Sequence, residues 1–478
     1  MTWPVLLAGH WTTLPTPLEV RSPFDDRTVA MTSVGTDAEV EVAIAAAVSA
    51  APIMRAWPSH ARARTLRAVA QALRADPDTF ALPLSDEAGK PLRDARLEVE
   101  RAAFTFDTAA DEVAHIGGEV LPADMMPHGD GRLALTRRVP LGPIAAITPF
   151  NFPLLLTAHK LAPALAAGNP VVLKPATKTP LSALGIARLL HDHGVPSGGL
   201  SVLPLTRGAA DRLVTDDRFR LLTFTGSGAV GWDMKARAGR KRVVLELGGN
   251  AGVIIDASAD LDLAVQRVVA GGFTYAGQSC ISVQRVYVHE SVADAFAARL
   301  TAAVAALKVG DPRDPANDLG PMITTGDVDR IDEWVRDAVA DGARVLTGGH
   351  KLSASMYAPT VVDNIPAYTS LCRDEVFAPI VGLYRFAKVA EAIAEVNNSR
   401  YGLQAGIFTE NLGAALAAFD RLEVGGVLIN DVPTWRMDSL PYGGVKDSGT
   451  GREGPRWAIE EMTELKMLVI NQRLERMS

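Results

Sequence analysis

Leu221-Leu222-Thr223-Phe224-Thr225-Gly226-Ser227-Gly228-Ala229-Val230-Gly231 decides the fold. An apolar run ending at Phe224 suits a short buried strand, and the glycine-rich turn after it opens a helix. The turn satisfies G-x-G-x-x-G, a spacing that lets backbone N–H groups at a helix N-terminus hold a phosphate. The pattern by itself leaves a tight turn without a ligand equally open. Its surroundings repeat the same arrangement. Ile144 to Ile147, Val171-Val172-Leu173, Ser201-Val202-Leu203 and Val243-Val244-Leu245 are further short apolar runs. Between them lie helical spacings such as Ala183, Ile186, Ala187 and Leu190, with Thr179 as the expected cap, Pro180 in the first turn, and Gly194 and Pro196 at the end. Short strands alternating with helices predict a doubly wound parallel sheet, buried on both faces.

Outward from this core the pattern changes. Residues 37–112 read as mainly helical and rich in Ala and Arg. After Gly249 the alternation resumes through Gly252-Val253-Ile254-Ile255, a helix over 263–273, and Val286-Tyr287-Val288, which predicts a second α/β domain. Leu133 to Val139 and Leu465 to Asn471 look like strands with no obvious neighbours, and exposed edges of that kind suit an oligomer interface.

At 478 residues and 48% apolar composition, the chain is expected to hold two or three well-filled domains. A net charge of −7 gives no electrostatic footprint for nucleic acid or an anionic membrane. The most apolar stretch, 153–167, is interrupted by His159, Lys160 and Pro163, so no membrane span is expected. The N-terminus lacks the basic start of a signal peptide, and two cysteines make no disulfide framework. A reducing, cytoplasmic setting follows, in which Cys280 stays a thiol.

Cys280 sits in the turn-prone, polar context Tyr275-Ala276-Gly277-Gln278-Ser279-Cys280. The commoner fate of a free cysteine is burial as a small hydrophobe, a role that suits Cys372 better. Glu246 ends an apolar strand before Leu247-Gly248-Gly249-Asn250. It falls where the acidic ribose partner of the glycine motif would lie, yet a carboxylate at a strand end beside two glycines has a better use as a base. A thiol that attacks a carbonyl and a carboxylate that activates water are together enough to oxidise an aldehyde to an acid. Asn151, in Pro149-Phe150-Asn151-Phe152-Pro153, and Lys174 both follow strand ends, where open α/β sheets bind ligands. A turn asparagine and a surface lysine are the plain alternatives.

Taken together with Glu375-Val376-Phe377-Ala378-Pro379 and the run from Pro441 to Glu453, these segments resemble the aldehyde dehydrogenase superfamily over most of the chain. The resemblance implies a Rossmann-like dinucleotide-binding domain (1–118 and 141–248), a second α/β catalytic domain (249–446) and a small β oligomerisation arm (119–140 and 447–478). It implies a homodimer or homotetramer, NAD or NADP as cofactor and no metal. Cys280 matches the nucleophile, Glu246 the general base and Asn151 the oxyanion amide. Lys174 matches a residue holding the adenosine ribose, Ser227 belongs to the pyrophosphate turn, and Glu375 grips the nicotinamide ribose. Thr148, Pro149, Phe150, Gly226, Leu247 and Phe377 complete the implied cofactor contacts.

Two departures bear on specificity. Many NAD-preferring relatives carry a glutamate where this chain has Thr177, followed by Lys178. Losing a carboxylate that would repel a 2′-phosphate makes NADP acceptable or preferred. In the substrate tunnel, His159 and Arg436 replace aromatic positions, with Phe152, Trp435 and Tyr442 nearby and Arg101 as a further cation. A guanidinium there suits a small polar or anionic aldehyde, whereas a surface-loop Arg436 would mean nothing for the substrate. Ile281-Ser282-Val283-Gln284-Arg285 and Leu440-Pro441-Tyr442 resemble the lactaldehyde/glyceraldehyde-type branch. Relatives that transfer the acyl group to coenzyme A generally lack the glutamate, so Glu246 favours hydrolysis. A catalytically silent binding relative, or a reductase using only the glycine motif, is the remaining alternative.

Overall fold

The computed structural model describes residues 2–472. Five parallel strands form the centre of its first sheet, in the spatial order Leu200–Val202, Val171–Lys174, Ile144–Ile147, Leu221–Thr225 and Arg242–Glu246. By chain position that order is third, second, first, fourth, fifth, the doubly wound arrangement. Ile144–Ile147 and Leu221–Thr225 are buried along their whole length, which is why neither alternates polar with apolar residues. The order reverses between these two strands, so the loops at their carboxyl ends diverge and leave a crevice.

The glycine motif explains how the helix closes on the sheet. A Cβ at Gly226 would stand 2.4 Å from Phe224 Cζ, and one at Gly231 would stand 2.5 Å from Leu247 Cδ2. At Gly228 nothing lies nearer than 3.9 Å, so the mouth of helix Gly228–Arg237 is clear. The outer glycines serve packing; the middle one serves access.

Helix Leu181–Asp192 corrects one expectation. Thr179 does not cap it: the Thr179 hydroxyl is buried without a partner. Glu87, from helix Asp78–Ala88, takes that place, accepting from Leu181 N at 2.8 Å and Ser182 N at 2.9 Å. Its carboxyl oxygens satisfy N–H groups that a helix N-terminus leaves free, even though burial pushes the group up to about 8.

The second sheet runs Arg344–Thr347, Thr360–Asp363, Ile380–Phe386, Val283–His289, Ala251–Ile255, Gln404–Phe408 and Gly426–Ile429, parallel except at Arg344–Thr347. The chain crosses from Glu246 to Ala251 in one short link. The carboxyl ends of the first sheet therefore abut the amino ends of the second.

The two strands without obvious neighbours are each other's neighbours. Arg132–Pro140 pairs antiparallel with Thr463–Asn471 along its whole length, and Val120–Leu121 adds a third strand. The stretch 447–462 departs from the expected arm. Gly449–Thr450 extends the dinucleotide sheet beside Arg242–Glu246, and Ile459 and Met462 sit in that domain's core. Residues 473–478 of the expected arm lie outside the described residues. No single helix among the described residues is long and apolar enough to cross a membrane.

Candidate active site

Cys280 is delivered by a tight loop. Tyr275, Ala276 and Gly277 have φ of 51°, 53° and 69°, successive left-handed residues that turn the chain before strand Val283–His289. The sulfur lies 3.0 Å from the Tyr442 hydroxyl and packs with Ile281, Leu403 and Tyr442. Burial pushes the thiol up to about 12, while the Tyr442 hydroxyl pulls it down. At rest it is therefore a protonated thiol.

Glu246 is 3% exposed, and among the described residues neither carboxylate oxygen has a hydrogen-bond partner. Burial, then repulsion from Glu453, raises it well above the ordinary carboxylate range, opposed by Arg436, Lys160 and Arg452. A Cβ at Gly443 would stand 2.9 Å from Glu246 Oε1. Sulfur and carboxyl group thus converge on the dipeptide Tyr442-Gly443. Asn151, also buried, donates its Nδ2 to Gln278 O at 3.0 Å, two residues before the cysteine. These groups, widely separated in the chain, meet where the two sheets abut.

Other strand ends fit a dinucleotide. Thr148 and Thr225, at the carboxyl ends of the two switch-point strands, bury hydroxyls without partners among the described residues. Ser227 begins the open helix mouth with no side-chain cap of its own. Lys174 is half-buried, its ammonium reaching only Pro175 O at 3.1 Å among the described residues, and burial pulls it down to about 8. Thr177 and Lys178 are exposed in the turn that follows, and Pro149 and Phe150 are half-buried. Phe150 meets Phe377 edge-on at 6.0 Å. Glu375 accepts from Gly249 N at 2.9 Å, and burial pushes its carboxyl group up to about 7. Leu247 differs: its side chain is core and its N–H donates to Ser448 O, so any cofactor contact runs through its backbone carbonyl.

The model of the aldehyde dehydrogenase family matches residues 11–468. The chain is 43% identical over 465 residues to 3-sulfolactaldehyde dehydrogenase of Priestia megaterium, covering 97% of each. The crystal structure of aldehyde dehydrogenase 21 from Physcomitrella patens, in complex with the reaction product succinate, is 44% identical with a TM-score of 0.97, covering 99% of this chain and 98% of that one. That of glyceraldehyde-3-phosphate dehydrogenase GapN from Methanocaldococcus jannaschii, complexed with NADP, is 36% identical with a TM-score of 0.91, covering 95% and 99%.

The chain belongs to the aldehyde dehydrogenase family.

It is an NAD(P)-dependent oxidoreductase acting on aldehydes. Behind the thiol, this aldehyde dehydrogenase carries a buried charged cluster that the sequence reading only partly found. Helix Pro153–Ala167 is buried on every side, yet contains His159 and Lys160. A charge in such a helix must be paired, so the anomaly was visible in the sequence. Lys160 lies 3.6 Å from Glu453 Oε1 and donates to Thr223 Oγ1 at 2.9 Å. His159 Nε2 lies 3.0 Å from Asp438 Oδ1 and 3.0 Å from Arg436 Nη2; burial and then Arg436 push the imidazole toward its neutral form. Arg101 grips Asp438 with two bonds, 2.8 and 2.9 Å.

Arg436 is no surface-loop residue. Its side chain is 7% exposed, donates to Glu453 Oε2 at 3.1 Å, lies 3.2 Å from Asp438, and covers the Tyr442 ring at 3.7 Å. Asp438 stays far below the usual carboxylate range: burial opposes this, and His159, Arg101 and Arg436 outweigh it. Trp435 is 40% exposed, and among the described residues no hydrogen bond or ring contact joins its indole to this cluster. Phe152 lies on the other side of Asn151, edge-on to Tyr275 at 6.2 Å.

Proposed function

We propose that this chain oxidises a short aldehyde bearing an anionic group to the free acid, through a thioester on Cys280 hydrolysed by water. The convergence of Cys280 and Glu246 on Tyr442-Gly443 carries the reading. Cys280 attacks the aldehyde carbon as its thiol proton passes to solvent, and the carbonyl electron pair moves onto the aldehyde oxygen. The Asn151 amide and the Cys280 N–H stabilise the oxyanion; one such donor is worth ~2.7–4 kcal/mol of barrier. Thr148, Lys174, Ser227 and Glu375 would hold the dinucleotide, which when bound supplies the hydride acceptor. Glu246, unpartnered and raised, takes a proton from the water that attacks the thioester.

The anionic preference rests on Arg436 and Arg101. Arg101, Lys160 and Arg436 face Asp438 and Glu453, and Lys160 and Arg436 also act on the raised Glu246. Arg436 stacks on the same phenol whose hydroxyl touches the sulfur. A short chain seated on the thiol would place its far end within reach of that guanidinium. The compounds in the names of similar proteins, sulfolactaldehyde, glyceraldehyde-3-phosphate and succinate, carry anionic groups.

The arm supports a homodimer or homotetramer. Strand Thr463–Asn471 exposes Leu465, Met467, Leu468, Val469 and Ile470 at an edge with no further strand among the described residues. Both cysteines are free, which suits a reducing compartment such as the cytoplasm.

The test is a screen of purified protein with each cofactor on three- and four-carbon aldehydes bearing carboxylate, phosphate or sulfonate, against neutral and aromatic ones. Anionic substrates should lead in kcat/KM. A clear lead for long aliphatic or aromatic aldehydes would remove the anionic reading. In the same assay Cys280→Ala should abolish turnover, and Glu246→Gln should keep a single-turnover burst. Loss of that burst, with no trapped thioester, would take Glu246 out of hydrolysis.

A further inference from the structure

Lys90 and Glu98 form an ion pair with side chains 0% and 1% exposed, and no step of the reaction uses it. The pair is surrounded by the parts of the site that must hold still. Lys90 Nζ also donates to the backbone carbonyl of Asn151 at 2.7 Å. It lies 3.7 Å from the centre of the Phe152 ring and 4.4 Å from that of Tyr275. The second oxygen of Glu98 accepts from Leu154 N at 3.0 Å and Leu155 N at 3.1 Å, the first turn of the helix that follows Asn151. Tyr275, first of the left-handed residues leading to Cys280, donates its hydroxyl to Ala88 O at 2.8 Å, two residues before Lys90. One short stretch, 88–90, therefore grips the oxyanion asparagine from one side and the cysteine loop from the other.

We infer that Lys90 and Glu98 are positioning residues that hold the Asn151 amide at the place where charge develops on the aldehyde oxygen, in register with Cys280. The inference rests on the proposed role of Asn151. A buried ion pair is a costly way to fill space, because both ions lose their hydration, and removing either partner strands the other. Hydrogen bonding to a backbone carbonyl, combined with two aromatic faces, fixes the Asn151 backbone more narrowly than packing would. Displacements of about 1 Å in such a group lower rates by about a hundredfold.

The experiment is a double-mutant cycle. K90M/E98Q keeps the volume and removes both charges together, so neither is left stranded. Alone it should lower kcat about 10–100-fold, with cofactor affinity measured by fluorescence quenching unchanged. Asn151→Ala should lower kcat about 10²–10³-fold. Added to Asn151→Ala, K90M/E98Q should cost no further loss, since the group it positions is gone. Losses that multiply, or a K90M/E98Q enzyme with normal kcat, would overturn the inference. Normal kcat in Asn151→Ala alone would instead overturn the oxyanion role, and this inference with it. If K90M/E98Q does not fold, Lys90→Arg keeps the charge, shifts the donor, and is scored in the same cycle.

Discussion

Replacing Tyr442 by Phe removes a single oxygen, the one 3.0 Å from the Cys280 sulfur. That hydroxyl favours the thiolate, so its loss raises a thiol that burial already holds at about 12. A hydrogen bond to a charged group contributes about 1.5–3 kcal/mol, or about one to two pKa units at 1.4 kcal/mol per decade. The thiolate fraction at a given pH then falls about 10–100-fold. A more basic thiolate is also more nucleophilic, with a Brønsted slope of about 0.4–0.5, which returns about half of that loss on a logarithmic scale. Alkylation of Cys280 by iodoacetamide in the absence of cofactor should therefore slow by about three- to tenfold at every pH below the titration. The ring remains, so Arg436 keeps its aromatic face and the fold should be unchanged. A Tyr442→Phe enzyme alkylated as fast as the parent, or faster, would show that the contact does not stabilise the thiolate.

Three more outcomes follow from the site and its supports. Thr177 and Lys178 are exposed, so a charge placed there acts through a largely aqueous medium: Thr177→Glu should weaken NADP by about 1–2 kcal/mol, roughly tenfold in kcat/KM, and leave NAD nearly untouched. Equal kcat/KM for NADP before and after would refute the assignment of that turn. A general base works only when deprotonated, and Glu246 is raised, so the hydrolysis-limited rate should climb with pH through a midpoint above the ordinary carboxylate range. Glu453→Gln removes the repulsion that follows burial among its causes and should move this limb to lower pH; an alkaline shift would contradict the coupling. Glu87→Ala strands the N–H groups of Leu181 and Ser182 and should lower stability by about 1–3 kcal/mol, measured as a shift in the urea midpoint. An unchanged midpoint would show that Glu87 is not the effective cap.

Local pattern was enough wherever local physics sets structure. The five parallel strands were visible because a strand buried on both faces must be written as a continuous apolar run. Cys280, Glu246, Asn151 and Lys174 were visible because each breaks such a pattern at a strand end or turn. What failed was long-range partnership. Thr179 is the right residue for a cap, yet the donors it would have served are taken by Glu87 from another helix. The two arm strands seemed unpaired because their partnership spans most of the chain. Asp438, Glu453, Lys90 and Glu98 look like ordinary surface charges in sequence, and only burial makes them informative. Lys160 was the exception that could have been caught, since no solvated face exists on a helix of that composition.

The abutting sheets have a consequence for how the molecule comes to life after synthesis. Cys280 precedes a strand of the second sheet, whereas Asn151 and Glu246 lie at strand ends of the first. On the proposed mechanism, a chain with both halves formed but unjoined should be inert. Recovery of turnover during refolding should therefore trail the return of helical signal, marking the moment the halves lock together.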